Sequence, residues 1–170
     1  MNVFMVQIQF WRTPAFYFSL IATFLSLYAA INTWIYRHKK PIVIVNWANQ
    51  ITKQINCSLT LFNPSSNAIS ITSIELVQSS KRFNNAQWPV KLVSQKVSKV
   101  FSTEFPINIP SYQAANIVTA FQFLDNDISI KSSCELNIHY GDKTLSKRYI
   151  LQKFNIDFEK MIIIMESKFH

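Results

Sequence analysis

The chain has 170 residues, a formal net charge of +8, 49% hydrophobic residues and 14% aromatic residues. It contains one glycine. Phosphate-binding loops, dinucleotide-binding turns and nucleophile elbows each need more than one glycine at fixed spacing, so these sites are excluded. The length allows one domain and an appendage, and the charged fraction of 15% is below the roughly 25% usual in soluble proteins.

The N-terminal part of the chain holds most of the apolar excess. A short segment, residues 1–14, precedes an uncharged run at residues 15–36, AFYFSLIATFLSLYAAINTWIY. A helix of this length spans roughly 33 Å, enough for the hydrocarbon core of a bilayer. Cleaved signal peptides have a shorter apolar core with basic residues before it, and soluble helices rarely lack charge on every face. The run therefore predicts a single transmembrane helix.

Aromatic and basic side chains mark both ends of this run, as is typical of membrane interfaces. The predicted membrane-interface residues are Trp11, Arg12, Trp34, Tyr36, Arg37, Lys39 and Lys40. Residues 37–40 form a basic stop-transfer flank, which could also touch anionic lipid headgroups. Because lysine and arginine are more numerous after the run than before it, we expect the N-terminus outside and the C-terminal domain in the cytoplasm of a single-pass cell-membrane protein.

Residues 41–154 alternate between apolar and polar side chains, as half-buried strands do. The strand-like stretches are Ile42–Val45, Ile55–Leu61, Ala68–Val77, Trp88–Val93, Lys96–Thr103, Asn116–Leu124, Ile128–Tyr140 and Thr144–Leu151. Gly141 lies between the last two and predicts a tight hairpin turn. Pro106 and Pro110 enclose a predicted edge strand or extended connection. The pattern predicts a mainly β chain: a transmembrane helix, then an antiparallel immunoglobulin-like β-sandwich.

The C-terminal tail, residues 155–170, contains the apolar run Met161–Met165. An exposed run of this kind promotes aggregation, so something should cover it. It is either a last buried strand or a short helix docked on the sandwich. Contact with a partner chain is the alternative to burial on the domain.

Residues capable of chemistry are few and scattered. Cys57 and Cys134 alternate with apolar residues, so both thiols should be buried, and free thiols are expected in a cytoplasmic domain. A disulfide between them would instead argue for the inverted topology. His38, His139 and His170 lack metal-ligand spacing and are expected to be ordinary surface residues. We therefore expect no catalytic, cofactor or metal site, and no enzyme.

Lys81, Arg82, Phe83 and Trp88 combine charge with aromatic rings in a predicted loop, which makes them a candidate binding loop. Nucleic-acid contacts use such groups to neutralise phosphates and to stack on bases. The remaining basic residues are single and dispersed, and solubility or attraction to anionic lipid accounts for them. Nucleic acid is therefore possible as a partner but not favoured over a membrane or envelope protein.

The layout of the chain resembles small single-pass proteins of bacteria and their prophages. The segments that carry the resemblance are NPSSNAISITSI, which starts at Asn63, and FPINIP, which starts at Phe105. Some of these proteins are superinfection-exclusion proteins of lactic-acid bacterial phages. The resemblance implies a membrane-located protein that blocks injection of competing phage DNA, or a related envelope defence, and it carries over no site residues.

A second function hypothesis is a structural or assembly subunit of a membrane protein complex. In that case the predicted helix would pack against other helices, and small side chains at intervals of three to four residues favour such packing. The run offers a mild small-residue face made of Ser19, Ala22, Ser26 and Ala29–Ala30.

Overall fold

The computed structural model describes residues 13–51, 53–86, 89–94, 99–123 and 128–167. The chain divides into two compact units, Met1–Lys39 and Lys40–His170. The first contains the apolar helix and the second contains the strands, here called the β domain.

Helix α1 spans Pro14–Arg37, 24 residues with none buried. Thr13 precedes it in an extended conformation, and Pro14 stands in the first turn, where a helix needs no backbone N–H donor. At the other end the N–H of His38 donates to the carbonyl oxygens of Trp34 and Ile35. Within the described residues, α1 is the one helix long and apolar enough to cross a membrane, which confirms the predicted candidate span.

The serine and threonine hydroxyl groups of α1 are satisfied inside the helix. Ser19, Thr23, Ser26 and Thr33 each donate to a backbone carbonyl three or four residues earlier, at 2.8 Å. Inside a bilayer a polar group without a partner costs several kcal/mol. These hydrogen bonds therefore make the hydroxyls compatible with a lipid-facing helix.

The β domain contains ten described strands. They are β1 Ile42–Ile51, β2 Gln54–Phe62, β3 Ile69–Gln78, β4 Lys81–Asn84, β5 Lys91–Ser94, β6 Lys99–Phe101, β7 Ile107–Ile109, β8 Ala114–Gln122, β9 Ser133–Tyr140 and β10 Lys143–Ile150. A short 3₁₀ helix, Leu151–Phe154, and helix α2, Phe158–Ser167, follow. The chain is therefore mainly β with one N-terminal apolar helix, as predicted.

Two antiparallel sheets form the body of the domain. One has the strand order β1–β2–β8, and the other has the order β10–β9–β3–β4, with β7 also paired to β3. Strands β5 and β6 form a separate hairpin. Immunoglobulin domains place strands A, B and E in one sheet and G, F and C in the other, so this order is compatible with an immunoglobulin-like sandwich.

Alternating side chains from both sheets form one apolar core. Strand β2 contributes Ile55, Cys57, Leu59 and Leu61, all buried. The facing sheet contributes further buried side chains from β3 and β9, namely Ile71, Ile74, Leu76, Cys134, Leu136 and Ile138. The period of two seen in the sequence therefore identifies the core face of the central strands.

Several strand boundaries differ from the prediction. Strand β1 continues to Ile51, beyond the predicted end at Val45, because a bulge between Val45 and Trp47 interrupts the alternation without ending the pairing. Strand β9 begins at Ser133 and not at Ile128. The side chain of Gln50 holds Ile128 and Ile130 in the preceding loop, through hydrogen bonds of 3.0 and 3.1 Å to their backbone.

The local turn predictions agree with the structure. Gly141 has φ +56° between β9 and β10, where Tyr140 pairs with Lys143. Ile107–Ile109 is strand β7, and it pairs with β3 along one short stretch.

The C-terminal tail forms helix α2, the second of the two predicted alternatives. Met161 and Ile162 are buried in a second apolar cluster with Trp47, Leu92 and Ala120 on the outer face of the β1–β2–β8 sheet. Ile163 is 64% exposed. Part of the apolar run is therefore covered by the domain itself.

Candidate functional site

An interruption in strand pairing creates a cleft beside strand β3. Strand β7 pairs with Ile69–Ile71, and β4 pairs with Glu75–Gln78 along the same edge of β3. The residues of β3 between these stretches have no strand partner on that edge among the described elements. A register shift between Ile71 and Ser73 opposite β9 lies at the same place. Bulges of this kind often re-aim side chains near binding sites.

The cleft has a volume of about 640 Å³, within the range of small-molecule sites. It is lined by Thr72, Ser73, Glu75, Asn84, Asn85, Phe105, His139 and Gly141. We call it the β3 cleft. Its lining is mostly polar, with the half-buried Phe105 as the aromatic exception.

Asn85 fixes one side of the β3 cleft. Its N–H donates to the carbonyl oxygen of Ile74 at 2.8 Å. Its side-chain Oδ1 accepts from the N–H of Ile74 at 2.8 Å, and Asn85 is 6% exposed. A buried asparagine bonded to backbone on both sides is rigid, so this wall of the cleft is preformed.

Glu75 and His139, which line the cleft, meet polar side chains beside it on β9 and β10. Thr144 Oγ1 lies 3.0 Å from His139 Nδ1. His139 Nε2 lies 3.5 Å from Glu75 Oε2, and Asn137 Nδ2 lies 3.4 Å from the same oxygen. His139 Nε2 and Asn137 Oδ1 are buried without a hydrogen-bond partner in the structure. Native structures leave few buried polar atoms unpartnered, so this group of side chains is unusual.

Thr144, His139 and Glu75 follow one another as hydroxyl, imidazole and carboxylate. Enzymes with a serine or threonine nucleophile use the same order of groups. Here Thr144 is not among the residues that line the cleft. A substrate held in the β3 cleft would therefore not lie against that hydroxyl. The arrangement provides hydrogen-bonding groups and one carboxylate, which is suited to holding a polar ligand.

The sequence does not indicate this site. It predicts that His139 is an ordinary surface residue, and it does not distinguish Glu75 from other polar strand residues. Glu75 and His139 both lie at polar positions of predicted strands. This position on the polar face is the one feature of the sequence that points to them. Their proximity depends on the pairing of β3 with β9, in which Ser73 faces His139 and Glu75 faces Asn137.

The predicted binding loop is different in the structure. Lys81–Asn84 is strand β4, paired with β3, so the prediction of a loop at Lys81, Arg82 and Phe83 is wrong. Lys81 and Arg82 are exposed. Phe83 faces inward, and its ring centroid lies 6.2 Å from that of Phe123, so it is not available to stack on a base. Trp88 lies outside the described residues.

The predicted membrane-interface residues of α1 are exposed, as a lipid-facing position requires. Trp34 is 63% exposed and Tyr36 is 45% exposed. Arg37 is the last helical residue, and Lys39 Nζ lies 4.2 Å from the centre of the Tyr36 ring. Lys40 is also exposed. Trp11 and Arg12 lie outside the described residues.

The two cysteines are free and buried in the core, on β2 and β9. Burial raises the pKa of the Cys134 thiol to about 11. Burial, with a smaller contribution from Cys134, raises the pKa of Cys57 further. Both sulfurs are therefore protonated and unreactive at neutral pH. In the part of the chain that the structure describes, no three His, Cys, Asp or Glu side chains come together as metal ligands would.

No protein-family model matches the chain, and no curated protein matches it.

Proposed function

We propose that the protein is a single-pass membrane protein whose β domain binds a partner without catalysing a reaction. The observation that carries this proposal is the combination of an unburied apolar helix with a compact β domain. Twenty-four residues without one buried side chain need an apolar environment from outside the chain. The bilayer supplies that environment, and the β3 cleft gives the domain a place to hold a polar group.

Membrane fractionation after an alkaline wash tests the anchor. The wild-type protein should stay with the membrane pellet. Leu25→Arg places a charge near the middle of α1, where insertion costs about 2.5–3.5 kcal/mol, and should move a large part of the protein to the supernatant. Tyr36→Arg at the helix end is the matched control and should remain in the pellet. If the wild-type protein were extracted by the wash, the proposal would fail.

The proposed orientation has the N-terminus outside and the β domain in the cytoplasm. Its support is the cluster Arg37, Lys39 and Lys40 directly after the helix, since cytoplasmic flanks carry an excess of lysine and arginine. In this orientation the partners of the domain are cytoplasmic, or lie at the inner membrane surface.

The specific role that we propose is superinfection exclusion, or a related envelope defence. The sequence resemblance supports it, and so does the combination of an anchor with a binding domain. A protein partner is favoured over DNA because Lys81 and Arg82 are accompanied by an inward-facing Phe83.

Phage infection of cells that express the protein tests this role. Phage adsorption should be unchanged, while uptake of phage DNA should fall. The Leu25→Arg variant is the control for membrane location and should restore uptake. Normal DNA uptake in cells with the wild-type protein in their membrane would rule out exclusion of that phage.

The second candidate is a structural or assembly subunit of a membrane complex. The small-residue face of α1, with Ser19, Ala22, Ser26 and Ala29–Ala30, favours it because such faces allow close helix packing. Replacing residues 15–36 with an unrelated transmembrane helix should then abolish co-purification of a stoichiometric partner in mild detergent. If the helix serves only as a membrane anchor, the protein with the replaced helix should keep its function.

A further inference from the structure

The carboxylate of Glu75 is the starting point for a more specific inference about the β3 cleft, which rests on the proposed binding function. Glu75 lies in the central strand β3, between Asn137 of β9 and Asn84 of β4 in the strand register. Its side chain is 17% exposed. Burying a carboxylate to this extent is unfavourable unless strong hydrogen-bond donors replace water.

The donors around this carboxylate are weak. Asn137 Nδ2 is 3.4 Å away and His139 Nε2 is 3.5 Å away. Charge-assisted hydrogen bonds to a carboxylate are normally about 2.7–2.9 Å long. Among the described residues, no lysine or arginine lies within ion-pair distance of Glu75. The contacts that the described residues make therefore leave a large part of the hydrogen-bonding capacity of Glu75 unused.

The surroundings of Glu75 indicate which ligand would complete its contacts. Among the described residues that line the cleft, it is the one of Asp, Glu, Lys or Arg type. The carboxylate of Glu75 disfavours phosphate and attracts a cation at this position. Ser73 and Asn84 add neutral polar groups, and the Phe105 ring adds a surface that cations contact favourably.

We propose that the β3 cleft binds a single ammonium or guanidinium group through Glu75. The cation takes the position beside the carboxylate that the long contacts of Asn137 and His139 leave open. The group comes either from a free amine or from a lysine or arginine side chain of a partner protein. The chemistry is the same in both cases, and the two sources are separated by the choice of probe.

The test is an NMR titration of the full chain in lipid nanodiscs at constant ionic strength. The probes are n-butylammonium and ethylguanidinium, with 1-pentanol as the neutral control. The imidazole resonances of His139 report on the cleft, and those of His38 are the internal reference. We expect saturable shifts of the His139 resonances with a half-saturation of about 1–10 mM, as suits a ligand of this size.

Variants of two carboxylate positions make the test specific. Glu75→Gln should weaken binding at least about tenfold, because it removes the charge that strengthens the hydrogen bonds. Glu135→Gln alters another carboxylate of the same sheet, which lies 3.6 Å from Arg148 Nε, and should bind as the wild type does. Asn84→Asp adds a carboxylate opposite Glu75 in the register and should strengthen binding. Because Asn84→Asp is a separate variant, this increase in affinity can be measured even if Glu75→Gln does not fold.

The source of the cation follows from comparing n-butylammonium with N-acetyl-lysine amide. Tighter binding of the lysine derivative indicates a partner side chain, and equal or weaker binding indicates a free amine. The proposal is overturned if neither probe gives a saturable shift beyond that of 1-pentanol, or if Glu75→Gln binds as the wild type does. Membrane fractionation is independent of this titration, so a failure here leaves the anchoring result intact.

Discussion

The hydroxyl of Tyr149 donates a hydrogen bond of 2.9 Å to the carbonyl oxygen of Val43. Tyr149 is on β10 and Val43 is on β1, so this bond joins edge strands of two different sheets. Lys147 Nζ donates to the same oxygen at 3.2 Å. Burial raises the pKa of Tyr149, which keeps the hydroxyl protonated as a donor. The two donors close one side of the sandwich.

Removing the Tyr149 hydroxyl should therefore destabilise the β domain. Tyr149→Phe should lower the free energy of unfolding by about 1 kcal/mol, the usual contribution of one hydrogen bond. The loss should be larger when Lys147→Met is also present, because the Val43 oxygen then has neither donor. Urea unfolding followed by circular dichroism measures both effects. Tyr112→Phe, at a residue that is 55% exposed, is the control, and an equal loss there would contradict this assignment.

The docking of α2 predicts unequal effects for neighbouring residues. Met161 is fully buried in the cluster with Trp47, so Met161→Ala should cost about 2–4 kcal/mol of unfolding free energy. Ile163 is 64% exposed, and Ile163→Ala should change stability by less than about 0.5 kcal/mol. Thermal unfolding of the two variants checks the difference. Equal costs would show that the run Met161–Met165 is covered in some other way.

The buried thiols predict a loss of stability in alkali. The pKa of Cys134 rises from 9.0 to about 11 on burial, and that of Cys57 rises too, so the unfolded chain releases these protons first. Stability is then fully present below about pH 9 and falls as the pH rises toward 11. Tyr140 and Tyr149, whose pKa values are also raised by burial, contribute with the same sign.

Denaturant unfolding at pH 8 and pH 10.5 measures this loss. Cys134→Ala removes one of the titrating groups and should show a smaller decrease between the two pH values than the wild type. An identical decrease in both proteins would mean that the thiol does not contribute to the pH dependence.

The proposed orientation predicts the accessibility of a surface cysteine. Arg82 is exposed on β4, whereas both native thiols are buried and protonated, so labelling of Arg82→Cys should stand out from the background. A membrane-impermeant maleimide should leave intact cells unlabelled at this position and label it once the membrane is opened. Asn2→Cys, before the helix, is the matched control and should be labelled in intact cells. The reverse pattern would invert the topology and make a Cys57–Cys134 disulfide credible.

The sequence alone determined the features that depend on local periodicity and turn chemistry. The uncharged run at residues 15–36 is apolar on every face, so it identifies α1 without knowledge of any tertiary contact. The apolar alternation from Ile55 to Leu61 identifies the core face of β2. Gly141 marks the last hairpin because its φ of +56° is costly for residues that carry a Cβ atom.

Features that depend on strand pairing were decided by the tertiary structure. The side-chain amide of Asn63 donates to the carbonyl oxygens of Ile109 and Pro110, more than forty residues away, and no local pattern predicts these contacts. The tail could be a strand or a helix by pattern, and packing on Trp47 accompanies the helix. The β3 cleft forms because β4 and β7 share one edge of β3, while register with β9 brings His139 to Glu75. Hydrophobic periodicity gives the face on which a side chain lies, whereas the neighbouring strand and its register determine which side chains meet.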